Sequence, residues 1–209
     1  MMKCLEPIQL VCPLEYQIYI KEDNSMAILY GIKRAIVTEL DNVSGEVLEG
    51  GVSTVIKTAE QATLSPVFSE GAEEILRNET NILAVVRSDD LLYGYDLTFK
   101  DNQFDLKSAQ LLGGYQVEGE EGAEVVKTPM LKDGAVPRPF KMELYVANYE
   151  MDAIVGYAKI TLNKCFGKFP EMTVGKEFFA PEFEVKAREN SAANLPIVSI
   201  EFVDALPEE

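Results

Sequence analysis

Between residues 91 and 99, apolar and aromatic side chains occupy every second position. Leu91, Tyr93, Tyr95, Leu97 and Phe99 are separated by Leu92, Gly94, Asp96 and Thr98. A period of two places the first row on one face of a β-strand. Lys100-Asp101-Asn102 ends that strand. Asp101 or Asn102 then caps a helix over about residues 102–113, with apolar positions Phe104, Leu106, Ala109, Leu111 and Leu112. Gly113-Gly114 closes it, one of the two taking a positive φ.

The alternation recurs along the chain. Residues 27–39 predict a strand, with Gly31 marking a bend or bulge. Residues 52–68, rich in Val, Ile and Thr, predict one extended, curved strand, and residues 80–87 another. Later rows are Phe140, Met142, Leu144 and Val146; then Ala158, Ile160 and Leu162; then Phe179, Phe183, Val185 and Ala187; and last Val198, Ile200 and Phe202. Residues 69–78 predict one or two helical turns. Ser88-Asp89-Asp90 reads as the turn of a hairpin joining 80–87 to 91–99. Polar, glycine-rich stretches at 41–51 and 118–138 read as a loop and a surface excursion.

About eight or nine strands and one helix predict a mainly β fold: an antiparallel β-sandwich or β-barrel with one packed α-helix. Residues 1–25, interrupted by Pro7 and Pro13, form an N-terminal arm, either an ordinary first hairpin or a segment that docks on a neighbour. Residues 26–203 form the β domain and 204–209 a frayed end.

Composition narrows the chemistry. The 209 residues suit one domain with a sizeable core. Thirty-five acidic against 19 basic residues give a net charge of −16, which argues against a surface built to grip phosphate. A negative wall is still compatible with DNA passing close by without binding. The chain has no histidine, so the commonest general acid/base and zinc ligand are missing. Cys4, Cys12 and Cys165 show no CxxC spacing and predict reduced thiols, with neither a zinc site nor a disulfide framework. No stretch reads as a signal core or as a membrane-spanning run of about 20 apolar residues.

No catalytic motif stands out either. Gly113-Gly114 and the glycines at 119 and 122 fit neither GxGxxG nor the phosphate-loop pattern, and there is no GxSxG or HExxH. Residues 42–46 lack the aspartate spacing of a calcium loop. Asn78-Glu79-Thr80 matches a glycosylation sequon, a chance match where no signal core precedes it. The expectation is a protein that is not an enzyme and holds no cofactor or metal.

The run GYDLTFKDNQFD at 94–105, followed by LLGG at 111–114, resembles the strand–helix unit of bacteriophage major tail tube proteins. The likeness continues through residues 139–145, then Gly156-Tyr157, Ile160-Thr161-Leu162 and Asn163-Lys164-Cys165. It closes with Phe178-Phe179-Ala180-Pro181-Glu182-Phe183, spanning roughly residues 28–203. The resemblance implies a virion tail protein, made in the bacterial host cytoplasm. Its subunits would form homo-hexameric rings that share an inner β-barrel and stack into a hollow tube. Partners would be a tape-measure protein, a tail terminator and baseplate proteins, with DNA passing through the lumen unbound and no membrane involved. Other readings are a tube protein of a phage-derived contractile or secretion/injection system and a carbohydrate-binding β-sandwich module. The last would show exposed aromatics along a groove, and the lack of tryptophan counts against it.

Within that resemblance, the polar faces of the strands supply the lumen. Lys141, Glu143, Glu182, Glu184 and Glu201 are the expected lining, mixed with Lys159, Lys186 and Arg188 and acidic on balance. Flexible segments at 1–25, 40–53 and 118–138 would serve ring-to-ring contact. Asn42, Val43, Ser44, Gly45, Glu46, Gly50 and Gly51 form the expected inter-ring loop.

Overall fold

The computed structural model describes residues 27–119, 122–130, 138–170 and 180–207. The N-terminal arm, residues 120–121 and 131–137 of the 118–138 excursion, and the Phe178-Phe179 pair therefore lie outside the described residues.

The first strands are β1 (Ile28–Glu39), β2 (Ser53–Ile56), β3 (Ala59–Ser69), β4 (Glu73–Arg77), β5 (Ile82–Arg87) and β6 (Leu91–Asp101). The helix α1 (Leu106–Gly113) follows, then β7 (Gln116–Glu118) and β8 (Val125–Lys127). The remainder is β9 (Phe140–Glu150), β10 (Ala153–Gly167), β11 (Glu182–Ala187) and β12 (Val198–Val203). The main sheet runs β2-β1-β9-β10-β11-β6-β3, with β12 added to β10 and every pairing antiparallel. It folds over on itself as a sandwich and does not close into a barrel.

Strand β10 makes the fold over. Its first half pairs with β12 (Tyr157 opposite Val203 through Leu162 opposite Val198) and its end with β11 (Cys165 opposite Ala187). A bulge between Leu162 and Cys165 separates the two pairings. A bulge bends a strand and sharpens its twist, which lets one strand serve two layers. The core fills the space between: Ala35 and Val37 of β1, Phe140, Met142 and Leu144 of β9, and Leu162 and Cys165 of β10 meet Phe183, Val185, Leu97 and Phe99. Burial lifts the Cys165 thiol far above its ordinary range, so it stays protonated and unreactive in the folded protein. Gly31 sits at a register break in β1, as the sequence pattern suggested.

The helix is shorter than expected at its start. Asp105, not Asp101 or Asn102, is the N-cap, its carboxylate accepting from the Ser108 amide at 2.9 Å. Asp101 is occupied elsewhere: it is buried in the last β6 pair and accepts from the Thr58 hydroxyl at 2.6 Å. Gly114 takes the left-handed conformation (φ 68°) at the C-cap. Leu111 and Leu112 enter the core, while Phe104 is exposed and Leu106 half-buried, so the inner face is narrower than the sequence implied.

Two local expectations are overturned. Residues 73–77 form a strand, β4, and not helical turns. The acidic-apolar pattern Glu73-Glu74-Ile75-Leu76 suits either state, and pairing with β5 decides it. Second, β5 does not pair with β6 across Ser88–Asp90. β6 pairs with β3 instead, and the run 52–68 is broken at 57–58 into β2 and β3. Pro66, which cannot donate to a ladder, is tolerated because β3 is an edge strand.

Candidate functional site: a projecting hairpin and two charged strand faces

These pairings build one long hairpin. Beyond the β3–β6 ladder, whose last pair is Ser69 opposite Leu91, the strands continue as β4–β5, with Glu73 opposite Arg87. The two ladders are joined by a polar seam, where Gly71 N donates to Asp90 Oδ1 (2.8 Å) and Ala72 N to Ser88 Oγ (2.7 Å). Asn78 closes the tip, its side-chain oxygen accepting from the amides of Thr80 (3.2 Å) and Asn81 (2.8 Å). Residues 68 to 92 thus carry the chain roughly 35–40 Å beyond the sandwich at about 3.3 Å per residue.

The arm is apolar on both faces. Ile75, Leu76, Ile82, Leu83, Val85 and Val86 are each between 48% and 69% exposed. Leu76 and Val86 lie on one face, Ile75 and Val85 on the other, because strand side chains alternate. A two-stranded hairpin alone is marginal in water, and among the described residues no further strand pairs with either edge of β4–β5. The sequence analysis missed this arm. Its signal was the pair of turn clusters, Ser69–Gly71 and Ser88–Asp90, at matching distances from the 78–81 tip.

The expected lumen residues fall into two groups on the outward, non-core faces. In the first, Lys141 and Lys159 each lie 3.3 Å from Glu143 Oε1, and Lys159 is also 3.3 Å from Glu201 Oε2. This chain of alternating sign crosses β9, β10 and β12. Burial pulls the Lys159 amine down, but Glu143 and Glu201 outweigh it and hold the amine above its ordinary value. In the second group, on β11, Glu184 pairs with Lys168 at 2.6 Å, and that hydrogen bond pulls the carboxyl below its usual range. Glu182 sits two residues away on the same face, with Lys100 near enough to feel its charge. The structure brings Lys141, Glu143 and Glu201 together and keeps Glu182 and Glu184 in a separate cluster.

The 42–51 loop is more ordered than its composition suggests. Asp41 Oδ1 accepts from the amides of Val43 (3.0 Å) and Ser44 (2.7 Å), and these bonds lower its pKa. Leu40 and Val47 form a β-bridge, and Gly50 and Gly51 lead back towards β2. Buried Asn190 donates to the Gly45 carbonyl at 2.8 Å, tying the loop to the 190–195 turn. Val43 and Glu46 remain on the outside, Val43 almost fully exposed. Removing a buried hydrogen-bond partner costs about 1–3 kcal/mol. Asn190→Ala should therefore lower stability by about that amount in urea denaturation, and an unchanged midpoint would mean that the loop is not held this way.

Among the described residues, no group of three or more Cys, Asp or Glu side chains is arranged to hold a metal ion. No helix among them is long and apolar enough to cross a membrane.

Fold and surface together define an antiparallel β-sandwich with a projecting two-stranded arm. No protein-family model and no curated protein matches the chain. Among solved structures, it is similar to a chain in the 6-fold symmetrised anti-feeding prophage baseplate: TM-score 0.40, 8% identity, covering 84% of this chain and 97% of that one. It is also similar to a chain of the anti-feeding prophage tube-terminating cap: TM-score 0.37, 12% identity, covering 88% and 99%.

Proposed function

We propose that this protein is a structural, non-catalytic subunit of a phage-type tail tube or tail-derived injection tube, assembling as hexameric rings that stack. The observation that carries the proposal is the arm of residues 68–92, apolar on both faces and exposed along β4 and β5 among the described residues. Such a hairpin becomes stable once its edges are paired, and a second copy offers the same open edges. A heterologous contact of that kind closes into a ring when its rotation allows. The resemblance of residues 28–203 to tail tube proteins supplies the expected ring and tube. The paired charges of Lys141, Glu143, Lys159 and Glu201 suit a wall that holds DNA loosely, since few of them are left to bind phosphate. The loop at 42–51 offers Val43 and Glu46 to a stacked ring.

Light scattering across concentration and salt tests the proposal. The mass should rise from the subunit value of about 23 kDa to that of rings or tubes. Moderate salt should favour the larger species, because it screens repulsion between subunits of net charge −16. A mass fixed at one subunit under all conditions would overturn it.

A further inference from the structure

Where the arm leaves the sandwich, several features coincide. Val67 pairs with Gly94 but Phe68 pairs with Leu92, so Tyr93 is an extra residue in β6 and the ladder carries a bulge. Burial changes at the same place: Gly94, Leu97 and Phe99 are buried, whereas Phe68 and residues 72–93 are exposed. On the inner side the ladder is supported by β11, whose last pair is Ala187 opposite Tyr95. On the outer side no neighbouring strand is assigned to it among the described residues.

Arg188, the first residue after β11, reaches across this junction. Its guanidinium lies 4.8 Å from the centre of the Tyr93 ring. It also donates to the carbonyls of Ala187 (2.8 Å) and Tyr95 (3.4 Å), and Nη2 is 3.5 Å from Asp96 Oδ1. The side chain is only 21% exposed, although it sits at the edge of the body. Gly94 makes room for it: a Cβ there would run into the guanidinium and stand 2.6 Å from the Ala187 carbonyl. A planar fork that stacks on a ring while bonding carbonyls and a carboxylate is a task lysine does not perform equally well.

We propose that Arg188 is a positioning residue that sets the angle of the 68–92 arm at the Tyr93 bulge. A bulge bends a strand but does not by itself fix the bend. Here the extra residue is the one whose ring the guanidinium covers, and Tyr95 and Asp96, two and three residues further on, are held too, Tyr95 through its carbonyl and Asp96 through its carboxylate. The arm is thus held at its root by the residue that follows β11. This inference rests on the arm's geometry and not on what covers the arm in an assembly.

Spin-label distances test it. Labels at Glu79→Cys on the tip and Glu49→Cys on the body would be placed in a Cys4→Ser, Cys12→Ser background, leaving buried Cys165 in place. Diluting labelled chains into unlabelled excess isolates the intramolecular distance, whatever the oligomeric state. The parent should give one narrow distribution. Arg188→Met should broaden it severalfold or shift its centre, and Arg188→Lys should fall between. Tyr93→Ala, at a mostly exposed ring, should reproduce the broadening in a body that melts as the parent does. Distributions of unchanged width and centre in both Arg188→Met and Tyr93→Ala would overturn the proposal. Light-scattering mass is a separate readout, so failure of the ring proposal is distinguishable from failure of this one.

Discussion

Excising residues 70–90 and joining Ser69 to Leu91 through an Asn-Gly turn should abolish assembly and leave a soluble, cooperatively melting body. Ser69 and Leu91 are opposite partners, so a two-residue turn closes the shortened hairpin there. None of the excised residues belongs to the core cluster, so the body should keep its thermal midpoint within a few degrees. The effect on association is expected to be large. Fully burying six aliphatic side chains stabilises by about 1.5–3 kcal/mol each. Association opposes this with about 4–15 kcal/mol of lost freedom. Without the arm, the largest favourable contribution is gone and particles of one subunit should dominate. If the shortened protein assembles as readily as the parent, the arm is not the interface.

Gly167→Ala should unfold or severely destabilise the subunit. A Cβ at Gly167 would collide with the backbone carbonyl of Leu112 in the last turn of α1, standing 2.6 Å from the carbonyl carbon. The obstacle is backbone, so no rotamer change relieves it; the helix end has to move away from β10. That movement would draw Leu111 and Leu112 out of the core. Overpacking costs about 1–3 kcal/mol where side chains adjust, so a backbone collision here should reach about 3 kcal/mol or more in urea denaturation. A variant as stable as the parent would show that the helix packs elsewhere.

Much of the sandwich was legible in the sequence. Phe140, Met142 and Leu144 alternate with Lys141 and Glu143, and their burial alternates in step because one face of β9 meets the core and the other meets water. Gly113-Gly114 marked the helix end because Gly114 has to take a left-handed conformation. The start was harder to read, since Asp101, Asn102 and Asp105 are all cap residues and only the β6 ladder determines which one is free. Strand partners were less legible still. Ser88-Asp89-Asp90 has turn composition, but Ser88 and Asp90 use their side chains to bond Ala72 and Gly71 across a continuing hairpin.

The arm was the most hidden feature, for a physical reason. Periodicity reports a side chain's environment through the alternation of wet and dry faces. In β4 and β5 every residue is exposed, so no core imposes an alternation. Ile75-Leu76 and Val85-Val86 are consecutive apolar pairs, a pattern that suits strands buried on both faces and carries no period of two. The charged residues pose the converse problem. Lys141, Glu143 and Glu201 meet in space because β9, β10 and β12 are neighbours, whereas Glu182 and Glu184 belong to β11, where Glu184 pairs with Lys168 and Glu182 stands opposite Lys100 in the ladder. Sequence alternation identifies the polar face of each strand but not which polar faces adjoin.

Electron microscopy of the purified, full-length chain tests the central claim most directly. The account predicts hollow rings with sixfold symmetry, alone or stacked into tubes, with the 68–92 arms packed between neighbouring subunits. A field containing only single-subunit particles, at concentrations and salt that favour association, would contradict it.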